Sequence, residues 1–360
     1  MTGKYKMFPD LVRGNKPKVL VAMSGGVDSS VTAFLLTKQG YAVKGVHFRL
    51  ISKDAGLEKA RVIAKFLNIP YQVVDLREEF KQKVIKPFLK EYQDNKTPNP
   101  CVICNPEIKF GVLNQLAVKE GFDYFATGHY ARVKKSIAGV KLLKGLDSSK
   151  DQSYFLWGLS QKILKQTIFP LGNYTKNEIK SIAMEIGLPH YSDKKEEKID
   201  ESQEICFAQE GIECFLKKNF NLKPGNIIDD KGNVLGKHSS LFLYTPGQRK
   251  GLGLSGGPYF VLNKNTATNE LAVTKNEEQL FTDEFTIRQA NWINGNEPKF
   301  PLSVKIKTRY RQNEAVAQVS ESNKKGIYGV VLAKPQKAIA PGQSTVFYRG
   351  EELIGGGIIR

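Results

Sequence analysis

Two cysteines that stand three positions apart, Cys101 and Cys104, lie in the segment TPNPCVICNPEIKFG. A cysteine does its chemistry as a thiolate, which is both a nucleophile and a metal ligand. Asn105 and Pro106 follow directly, and this pair is typical of the start of a helix. Because the N-terminus of a helix stabilises a thiolate, we expect Cys104 to be a nucleophile.

The other two cysteines, Cys206 and Cys214, lie much further along the chain. Four cysteines are too few for the disulfide framework of a secreted protein. The wide spacing of the second pair is unlike that of a zinc ribbon or finger, which disfavours a structural zinc site shared with the first pair. Cys214 lies in the amphipathic stretch GIECFLKKNF, and we expect it to be a small buried apolar side chain. Cys206 follows the charged segment 193–204, which we interpret as a solvated loop.

A glycine pair, Gly25 and Gly26, separates the apolar run KVLVAM from a stretch in which apolar residues recur at helical spacing. Such a turn points backbone N–H groups and the positive end of the helix dipole at one place, which predicts an anion-binding site. The glycines let a phosphate approach the backbone, and the hydroxyls of Ser24, Ser29 and Ser30 can add donors. The motif is neither a Walker A loop, which contains a lysine, nor GxGxxG.

The elements that must position these groups alternate between strand and helix. The segments 18–23, YAVKGVHF and YQVVDL are typical of strands, and helical patterns lie between them. This βαβαβ order predicts an α/β fold with a doubly wound parallel sheet, which binds ligands at the carboxyl ends of its strands. Thr175 and Glu178 have the spacing of a capping box, and we expect Gly187 to end that helix.

From about residue 208 the apolar periodicity changes to two, and helical patterns are nearly absent. We therefore predict two small β-rich modules, of which the last is a β-barrel. The predicted domains are 1–207, an α/β catalytic domain, 208–283, a small central domain, and 284–360, the barrel. In the segment LSVKIKTRYR, four cations are expected to alternate onto one face of a strand, either as an RNA-binding row or as the charged face of an edge strand: Lys305, Lys307, Arg309 and Arg311.

The composition is that of a globular protein, with 41% hydrophobic and 25% charged residues. Its 54 Lys and Arg against 36 Asp and Glu give a formal net charge of +18. Such an excess attracts polyanions, so nucleic acid is the leading expected partner. Since the chain has neither a signal-peptide pattern nor an apolar run long enough to span a membrane, we expect a cytoplasmic protein with no membrane partner.

The string SGGVDSS resembles the pyrophosphate-binding loop of the ATP pyrophosphatases, which split ATP into AMP and pyrophosphate to adenylate a substrate. Other motifs follow in the order found in one branch of that superfamily, the tRNA-specific 2-thiouridylases, and the resemblance runs from about residue 17 onward. These motifs are TPNPCVICNPEIKFG, ATGHYARV, KDQSYFLW, ESQEICFAQE, TPGQRKGLG, VKIKTRYRQ and PGQSTVFYRGEELIGGGII.

The resemblance implies ATP-dependent 2-thiolation of the wobble uridine in tRNAs of the Lys, Glu and Gln type. It implies ATP and Mg²⁺ as cofactors, and a sulfur-donor protein, such as a cysteine desulfurase or a sulfur relay, as a partner. The chemistry fits the residue types, because a uracil C2 carbonyl has no leaving group until its oxygen is adenylated. The terminal sulfur of a persulfide can then attack, and a second cysteine releases the sulfur by forming a disulfide.

The resemblance also assigns roles position by position. Cys104 matches the nucleophile, and Cys206 matches the cysteine that carries the persulfide. Cys101 stands where some members carry an aspartate proposed as the acid and base, and a thiol is a poorer base at neutral pH. The expected ATP contacts are Ala22, Met23, Ser24, Gly25, Gly26, Val27, Asp28, Ser29, Phe48 and Gly128. The expected contacts with the target base and the tRNA are Asn99, Pro100, Cys101, His129, Lys150, Asp151, Gln152, Arg309, Tyr310 and Gln343.

Several alternatives stay open at this stage. Cys101, Cys104 and Cys206 are also possible ligands of an iron–sulfur cluster, as proposed for related thiolases. The amide-forming and amidine-forming ATP pyrophosphatases share the glycine loop but need no cysteine pair. A non-catalytic RNA-binding protein could retain the nucleotide-binding fold. His129 is either a tRNA contact or a histidine satisfied within the core.

Overall fold

The computed structural model describes residues 5–6, 16–137, 139–191 and 205–360. The charged segment 193–204, interpreted above as a solvated loop, lies outside the described residues. The helices are α1 Val27–Lys38, α2 Ala55–Phe66, α3 Arg77–Phe80, α4 Lys86–Gln93, α5 Cys101–Cys104, α6 Phe110–Lys119, α7 Gln161–Gln166, α8 Lys176–Glu185 and α9 Ile212–Asn219. Two π-helical stretches, Lys81–Ile85 and Asn105–Lys109, join α3 to α4 and α5 to α6.

The first seven strands are β1 Lys18–Ala22, β2 Ala42–Arg49, β3 Tyr71–Asp75, β4 Tyr124–Ala126, β5 Ala131–Ser136, β6 Gly139–Lys144 and β7 Thr167–Ile168. The later strands are β8 Gly225–Ile228, β9 Val234–His238, β10 Phe260–Asn265, β11 Glu270–Thr274, β12 Phe281–Trp292, β13 Leu302–Lys307, β14 Ala315–Glu321, β15 Ile327–Lys337, β16 Ser344–Arg349 and β17 Glu352–Ile359. Among the described residues, no helix combines the length and the apolar composition that a membrane crossing requires.

The first part of the chain folds around a parallel five-stranded sheet in the order β3–β2–β1–β4–β7. Neighbouring residues of the central strand β1 face opposite sides, as a pleated strand requires. Val19 and Val21 pack with α1, α2 and α8, whereas Leu20 packs with α6. Helices therefore cover both faces, and the strand order reverses between β1 and β4. The prediction of a doubly wound α/β fold is confirmed.

The predicted capping box at the start of α8 is also confirmed. The Thr175 side chain accepts the N–H of Glu178 at 3.2 Å, and the Glu178 carboxylate accepts the N–H of Thr175 at 2.6 Å. Gly187 follows the end of the helix with a φ of +63°, a left-handed conformation that favours glycine.

A four-stranded sheet, β10–β11–β8–β9, follows around a small core that contains Ile227, Val261, Leu271 and Val273. The helix α9 precedes this sheet, although the sequence showed almost no helical pattern beyond residue 208. Its apolar side, with Ile212, Phe215 and Leu216, packs with Phe88 and Tyr92, which agrees with the amphipathic character of GIECFLKKNF.

The last part of the chain is a closed antiparallel barrel of six strands, β12–β15–β14–β13–β16–β17, which the pairing of β12 with β17 completes. Its core contains Ile306, Val319, Val330 and Phe347, all of them almost completely buried. The predicted barrel is confirmed.

A hairpin from the first part of the chain, β5 with β6, is attached to this barrel. β6 pairs with β17 through Leu143 opposite Glu352 and Leu142 opposite Leu353. One apolar core continues through the junction, since Phe125 of the parallel sheet and Tyr348 of the barrel belong to the same cluster of buried side chains. This backbone pairing between distant segments was not predicted from the sequence.

Candidate active site

The glycine turn at the carboxyl end of β1 packs tightly on α2. Gly25 has a φ of +83°, and a Cβ at this position would collide with the carbonyl oxygen of Gly56. Gly26 is the N-cap of α1, and the only atom near the place of its missing Cβ is Ser24 Oγ at 3.5 Å. The first N–H groups of a twelve-residue helix therefore meet an open surface, which suits the binding of an anion.

The hydroxyl groups beside the turn are used differently from the prediction. Ser29 Oγ donates to the carbonyl oxygen of Gly26 at 3.0 Å, and Ser30 Oγ donates to the same oxygen at 2.8 Å. Both serines are buried, whereas Ser24 is exposed. The expectation that all three serines offer free donors is wrong for Ser29 and Ser30, because their hydroxyl hydrogens satisfy the backbone.

The residues expected to bind ATP meet at the carboxyl edge of the parallel sheet. The turn 22–29 follows β1, Phe48 lies at the end of β2, and Gly128 follows β4. A Cβ at Gly128 would lie only 2.9 Å from the backbone nitrogen of Ser29, so Gly128 touches the first turn of α1. This edge offers backbone N–H groups, a surface of glycines and an aromatic ring, which are suitable for phosphates and a nucleobase.

Asp28 is engaged by two side chains from other elements. Lys176 Nζ lies 2.9 Å from both carboxylate oxygens, and the Tyr130 hydroxyl donates to Oδ1 at 2.8 Å. Lys176 is the first residue of α8 and is buried. Sequence reasoning missed Lys176, because a lysine at the start of a helix resembles any surface residue until the fold brings it to Asp28.

The helical segment that contains the CxxC pair begins earlier than predicted. Its N-cap is Pro100, so α5 starts at Cys101. Asn105 is buried within the π-helical stretch, and its Nδ2 donates to the carbonyl oxygen of Phe155 at 2.9 Å. Cys104 is buried as well, and this burial raises the pKa of its thiol to about 12. The prediction that Asn105 caps a helix is therefore wrong. Cys104 as the nucleophile stays a prediction, and in the resting protein its burial favours the protonated thiol.

Cys206 is exposed and lies beside an anchored aromatic side chain. Phe207 packs edge-on against Phe80 and Phe88, with ring centroids 5.8 Å and 5.2 Å apart. Desolvation by the surrounding protein raises the pKa of the Cys206 thiol, and the same effect raises the pKa of Cys101, which is also exposed. Phe207 packs in the same hydrophobic cluster as Cys104, which brings the neighbouring Cys206 to the CxxC pair. Consistent with this placement, charges on Cys101 and Cys206 both raise the pKa of Cys104.

The fourth cysteine takes no part in this group. Cys214 lies on α9, and its Sγ donates to the carboxylate of Glu210 at 3.2 Å. The side chain is partly exposed, so the expectation of a buried apolar residue is wrong. All four cysteines are free thiols in this structure.

Lys109 faces the three grouped thiols, Cys101, Cys104 and Cys206. Burial raises the pKa of each thiol, and the positive charge of Lys109 opposes that rise in all three. Burial alone would lower the pKa of Lys109, but the sulfur groups outweigh it and raise the pKa. Lys109 ends the π-helical stretch Asn105–Lys109, and such wide turns often occur at functional sites. Sequence reasoning missed Lys109 because no residue pattern predicts a π-helix.

His129 packs as a core residue would. Its ring lies 5.4 Å from that of Phe110 and 6.3 Å from that of Phe169, measured between centroids, and its Nδ1 is 2.9 Å from Thr127 Oγ1. Burial and the charge of Lys109 lower the pKa of His129 to about 3, so the imidazole is neutral at physiological pH. This geometry favours the core interpretation over a charged contact with RNA.

The segment 150–152, expected to contact tRNA, has two of its side chains engaged in the protein. The buried Asp151 carboxylate accepts the N–H of Gly145 at 2.9 Å and both the N–H and the hydroxyl of Ser153. Gln152 Oε1 accepts the N–H of Tyr130 at 3.0 Å. Lys150 remains partly exposed and is the member of this segment whose charge can reach an RNA phosphate.

The predicted row of four cations is shorter than expected. β13 ends at Lys307, so only Lys305 and Lys307 lie on the strand, and Arg309 and Arg311 occupy the turn that follows. β13 lies between β14 and β16 in the closed barrel, so the alternative of an edge strand is wrong. Arg309 donates to the carbonyl oxygen of Ala338 at 2.6 Å.

The remaining expected contacts with the base and the tRNA lie near the CxxC pair and the barrel. Asn99 Oδ1 accepts the N–H of Cys101 at 3.1 Å, and Pro100 is buried. The half-buried Tyr310 packs on Phe155 with a ring-centroid distance of 4.5 Å. The amide of Gln343 donates to the carbonyl oxygen of Thr97, in the segment that leads to the CxxC pair, and its contact with tRNA stays a prediction.

The donor set does not fit a metal or a cluster. Within 16–137, 139–191 and 205–360, no three His, Cys, Asp or Glu side chains are grouped so that they could hold a metal ion. The three grouped thiols therefore do not form a ready set of iron–sulfur ligands, and no carboxylate group is arranged for Mg²⁺.

The chain is similar to curated proteins over nearly its whole length. A tRNA-specific 2-thiouridylase MnmA of Clostridium botulinum, strain Alaska E43, is 43% identical over 361 residues, which cover 96% of this chain and 98% of the relative. The protein of the same name from Treponema denticola is 42% identical over 367 residues, which cover 95% and 97%. The chain belongs to the tRNA-specific 2-thiouridylase family. The resemblance seen in the motifs of the sequence is thereby confirmed.

Three family models match the chain in succession. Residues 17–210 match the tRNA methyl transferase HUP domain, residues 213–275 the tRNA methyl transferase PRC-barrel domain, and residues 282–359 the aminomethyltransferase beta-barrel domain. In this member of the 2-thiouridylase family the parallel sheet and the four-stranded sheet lie within the first two matches, and the third match covers the six-stranded barrel except its first residue, Phe281.

Proposed function

We propose that this chain is an ATP-dependent tRNA-uridine 2-sulfurtransferase that replaces O2 of the wobble uridine by sulfur in tRNAs of the Lys, Glu and Gln type. One observation carries the proposal: Phe48, Cys104 and Phe207 pack in the same hydrophobic cluster. Phe48 belongs to the sheet edge that suits ATP, Cys104 to the CxxC pair, and Phe207 to the segment of Cys206, so the cluster brings these three parts together. The names of the relatives, tRNA-specific 2-thiouridylases, support the substrate and the kind of reaction.

The first step activates the base. The uracil O2 attacks the α-phosphorus of ATP, the bond from that phosphorus to the bridging oxygen breaks, and pyrophosphate leaves. The N–H groups of the turn 22–29 and the dipole of α1 stabilise the negative charge that develops on pyrophosphate. O2 is then part of an AMP group, which can depart from C2. Mg²⁺, if it entered with ATP, would supply neutralisation of part of the phosphate charge.

The second step transfers sulfur from a persulfide on Cys206. The terminal sulfur forms a bond to C2, and the bond from C2 to the oxygen of AMP breaks. The Cys104 thiolate then attacks Sγ of Cys206, the bond between the two sulfurs of the former persulfide breaks, and the transferred sulfur stays on the base. The product disulfide between Cys104 and Cys206 must be reduced by an external thiol, and a sulfur-donor protein must reload Cys206.

Both sulfur steps need thiolates, although burial keeps the thiols protonated. Lys109 is the cation that opposes this effect on all three of them. Its ammonium group can stabilise the Cys104 thiolate during the attack on Sγ of Cys206, because an opposite charge in a poorly solvated site favours the charged form. Cys101 lies one helical turn from Cys104 and faces the same lysine. This position fits a contact with the target uracil better than a role as the proton acceptor.

The wobble base lies in a single-stranded loop, so it can be turned into this site at a cost of only about a few kcal/mol. We propose that 1–207 is the catalytic domain and that 208–283 and 284–360 supply further RNA contacts. Lys150, Arg309 and Tyr310 are the proposed contacts on the protein surface. The net charge of +18 supports binding to the RNA backbone.

The test is an assay of thiolation on protein purified without oxygen. Wobble-uridine tRNA, ATP, a thiol reductant and a cysteine desulfurase with cysteine, which supplies the persulfide sulfur for Cys206, are incubated with the protein. The amounts of 2-thiouridine, AMP and pyrophosphate are measured together with the iron content. We expect one AMP for each thiolated base and activity without iron. Thiouridine formation that scales with iron content would contradict the persulfide route, and the absence of thiouridine under all conditions would contradict the proposed function.

A further inference from the structure

Two turns with the same sequence, PGQ, belong to different parts of the fold. The central PGQ turn is residues 245–248, before β10, and the barrel PGQ turn is residues 340–343, before β16. In each turn the glutamine N–H donates to the carbonyl of the residue before the proline, at 2.9 Å and 3.2 Å respectively. The φ angles of Gly247 and Gly342 are +80° and +90°. These are the features of type II turns, in which proline and glycine take fixed places.

Both turns hold one residue of the catalytic part of the chain, Thr97. Its N–H donates to the carbonyl oxygen of Pro341 at 2.9 Å, and its carbonyl oxygen accepts a bond from Gln343 Nε2 at 2.6 Å. Its hydroxyl lies 3.1 Å from that of Thr245 in the central PGQ turn. Thr97 thus bonds to the barrel through its backbone and to the central module through its side chain.

The close approach depends on glycine. A Cβ at Gly342 would lie 3.0 Å from the backbone nitrogen of Thr97, so a larger residue would press on the segment. The central PGQ turn is also tied to the segment that leads into the barrel PGQ turn, because Arg309 donates to the carbonyl oxygens of Pro246 and Ala338 at 3.3 Å and 2.6 Å, and Ala338 lies two residues before that turn. A movement of either module is therefore transmitted to Thr97.

Only residues 98–100 separate Thr97 from α5. Two of these three residues are buried prolines, whose φ angles are fixed, so the segment cannot absorb a displacement easily. Asn99 Oδ1 accepts the N–H of Cys101 at 3.1 Å, and the carbonyl oxygen of Pro100 accepts the N–H of Cys104 at 2.9 Å. The position of Thr97 thus determines the position of both thiols.

We propose that the two PGQ turns form a clamp on Thr97 that positions Cys101 and Cys104, with Gln343 as a positioning residue. The inference rests on the proposed function, since it says how the two other modules act on the thiols of that site. A reacting group that is misplaced by about 1 Å can lose about a hundredfold in rate. Loss of the clamp should therefore reduce the chemical step more than the binding of either substrate.

The first variant is Gln343→Met, which keeps the length of the side chain and removes the donor. Gln279→Met is the matched control, because Gln279 is exposed beside Glu277 and Glu278 and lies outside the proposed site. We expect Gln343→Met to lower the single-turnover rate of thiolation at saturating tRNA by about tenfold to a hundredfold, with the Kd for tRNA within twofold of wild type. A raised Kd with an unchanged rate at saturation would make Gln343 a direct tRNA contact and overturn the clamp.

A second variant reaches the clamp from the other module. Thr245→Val keeps the shape of the side chain and removes the hydroxyl that meets Thr97. The alkylation rates of Cys101 and Cys104 by iodoacetamide, measured by mass spectrometry without tRNA or ATP, give a readout that does not depend on the reaction. We expect both variants to change these rates at least threefold, and Gln279→Met to leave them unchanged.

Wild-type alkylation rates in both Gln343→Met and Thr245→Val would overturn the clamp even if thiolation occurs. If the alkylation rates change in the variants but the wild-type protein makes no thiouridine, the clamp is supported and the proposed function is contradicted. Thermal unfolding of each variant shows whether its fold is intact, and the two variants disturb Thr97 through separate contacts.

Discussion

Lys176 Nζ lies 2.9 Å from both carboxylate oxygens of Asp28, a residue 148 positions earlier in the chain. The lysine side chain is 9% exposed and the aspartate side chain 32% exposed. The pair fixes the first turn of α1 on α8, directly beside the glycine turn. It also neutralises a carboxylate that would otherwise repel the phosphates expected there.

Lys176→Met should weaken both ATP binding and folding. The variant leaves the Asp28 carboxylate without its cation, so we expect about tenfold weaker ATP binding and a loss of about 2 kcal/mol in the free energy of unfolding. Calorimetric titration with ATP and urea unfolding measure the two effects. Lys180→Met, an exposed position on the same helix, is the control. Unchanged values in Lys176→Met would show that the pair has no effect on either property.

Cys104→Ser and Cys206→Ser should each abolish repeated turnover, because the sulfur steps need both thiols. Cys214→Ser should keep full activity, since the Cys214 thiol donates to Glu210 in the turn before α9, away from the grouped thiols. Thiouridine formed per enzyme over many turnovers is the measurement. Multiple turnover in either of the first two variants would contradict the scheme with two cysteines.

Lys109→Met should shift the pH dependence of thiol reactivity to higher pH. Its ammonium group lowers the pKa of Cys101 and Cys206 against the effect of burial, so its removal raises both values. Alkylation at pH 8 should therefore be slower in Lys109→Met than in wild type, because only the thiolate reacts. Lys119→Met, at the exposed end of α6, is the control. Superimposable pH profiles for Lys109→Met and wild type would exclude the lysine from this role.

Arg309→Ala should weaken tRNA binding and spare ATP binding. If the guanidinium reaches a phosphate, the slope of log K against log salt should fall by about 1. Filter binding at several salt concentrations gives both quantities. Lys324→Ala, in the exposed turn between β14 and β15, is the control. An unchanged slope would limit Arg309 to its bonds with Pro246 and Ala338.

His129 should make the protein less stable in acid. Its pKa is lowered to about 3 in the folded chain by burial and by Lys109, whereas an unfolded histidine has a pKa of 6.5. Between these values only the unfolded chain binds the proton, so stability is complete above pH 6.5 and falls as the pH falls. At pH 5 the loss is about 2 kcal/mol.

Urea unfolding at pH 7.5 and pH 5 measures this effect. His129→Phe, which keeps a ring between Phe110 and Phe169, should lose less stability between the two pH values than wild type does. His190→Gln, at an exposed histidine, should behave as wild type. An equal acid loss in His129→Phe and wild type would assign that loss to other groups.

The sequence predicted the parts of the site that depend on local patterns. The strand before Gly25, the capping box of Thr175 and the period-two strands of the barrel follow from spacing along a short stretch of chain. Family motifs located Cys104 and Cys206. The roles of Lys176, Lys109 and Thr97 could not be predicted, because each depends on contacts between distant segments or on a π-helical turn.

Two of the mistaken expectations share one physical cause. Asn105 and Pro106 are good helix-starting residues, but the helix already starts after the buried Pro100. The Asn105 side-chain amide donates a hydrogen bond to the carbonyl oxygen of Phe155 and does not cap a helix. In the same way, Arg309 was expected to lie on β13, but the strand ends at Lys307. Tertiary contacts decided both cases, and local propensity is weaker than such contacts.

The pairing of β6 with β17 has a consequence for how the protein is made. Leu142 and Leu143 leave the ribosome more than two hundred residues before their partners Leu353 and Glu352. At a synthesis rate of about 5–20 residues per second, the edge of the hairpin waits for about 10–40 s without its final neighbour. During that time the apolar side chains of Tyr154 and Trp157, which the barrel later covers, are open to other chains. A pause or a truncation before β17 therefore yields a nascent chain with an uncovered β edge, which is a natural target for chaperones.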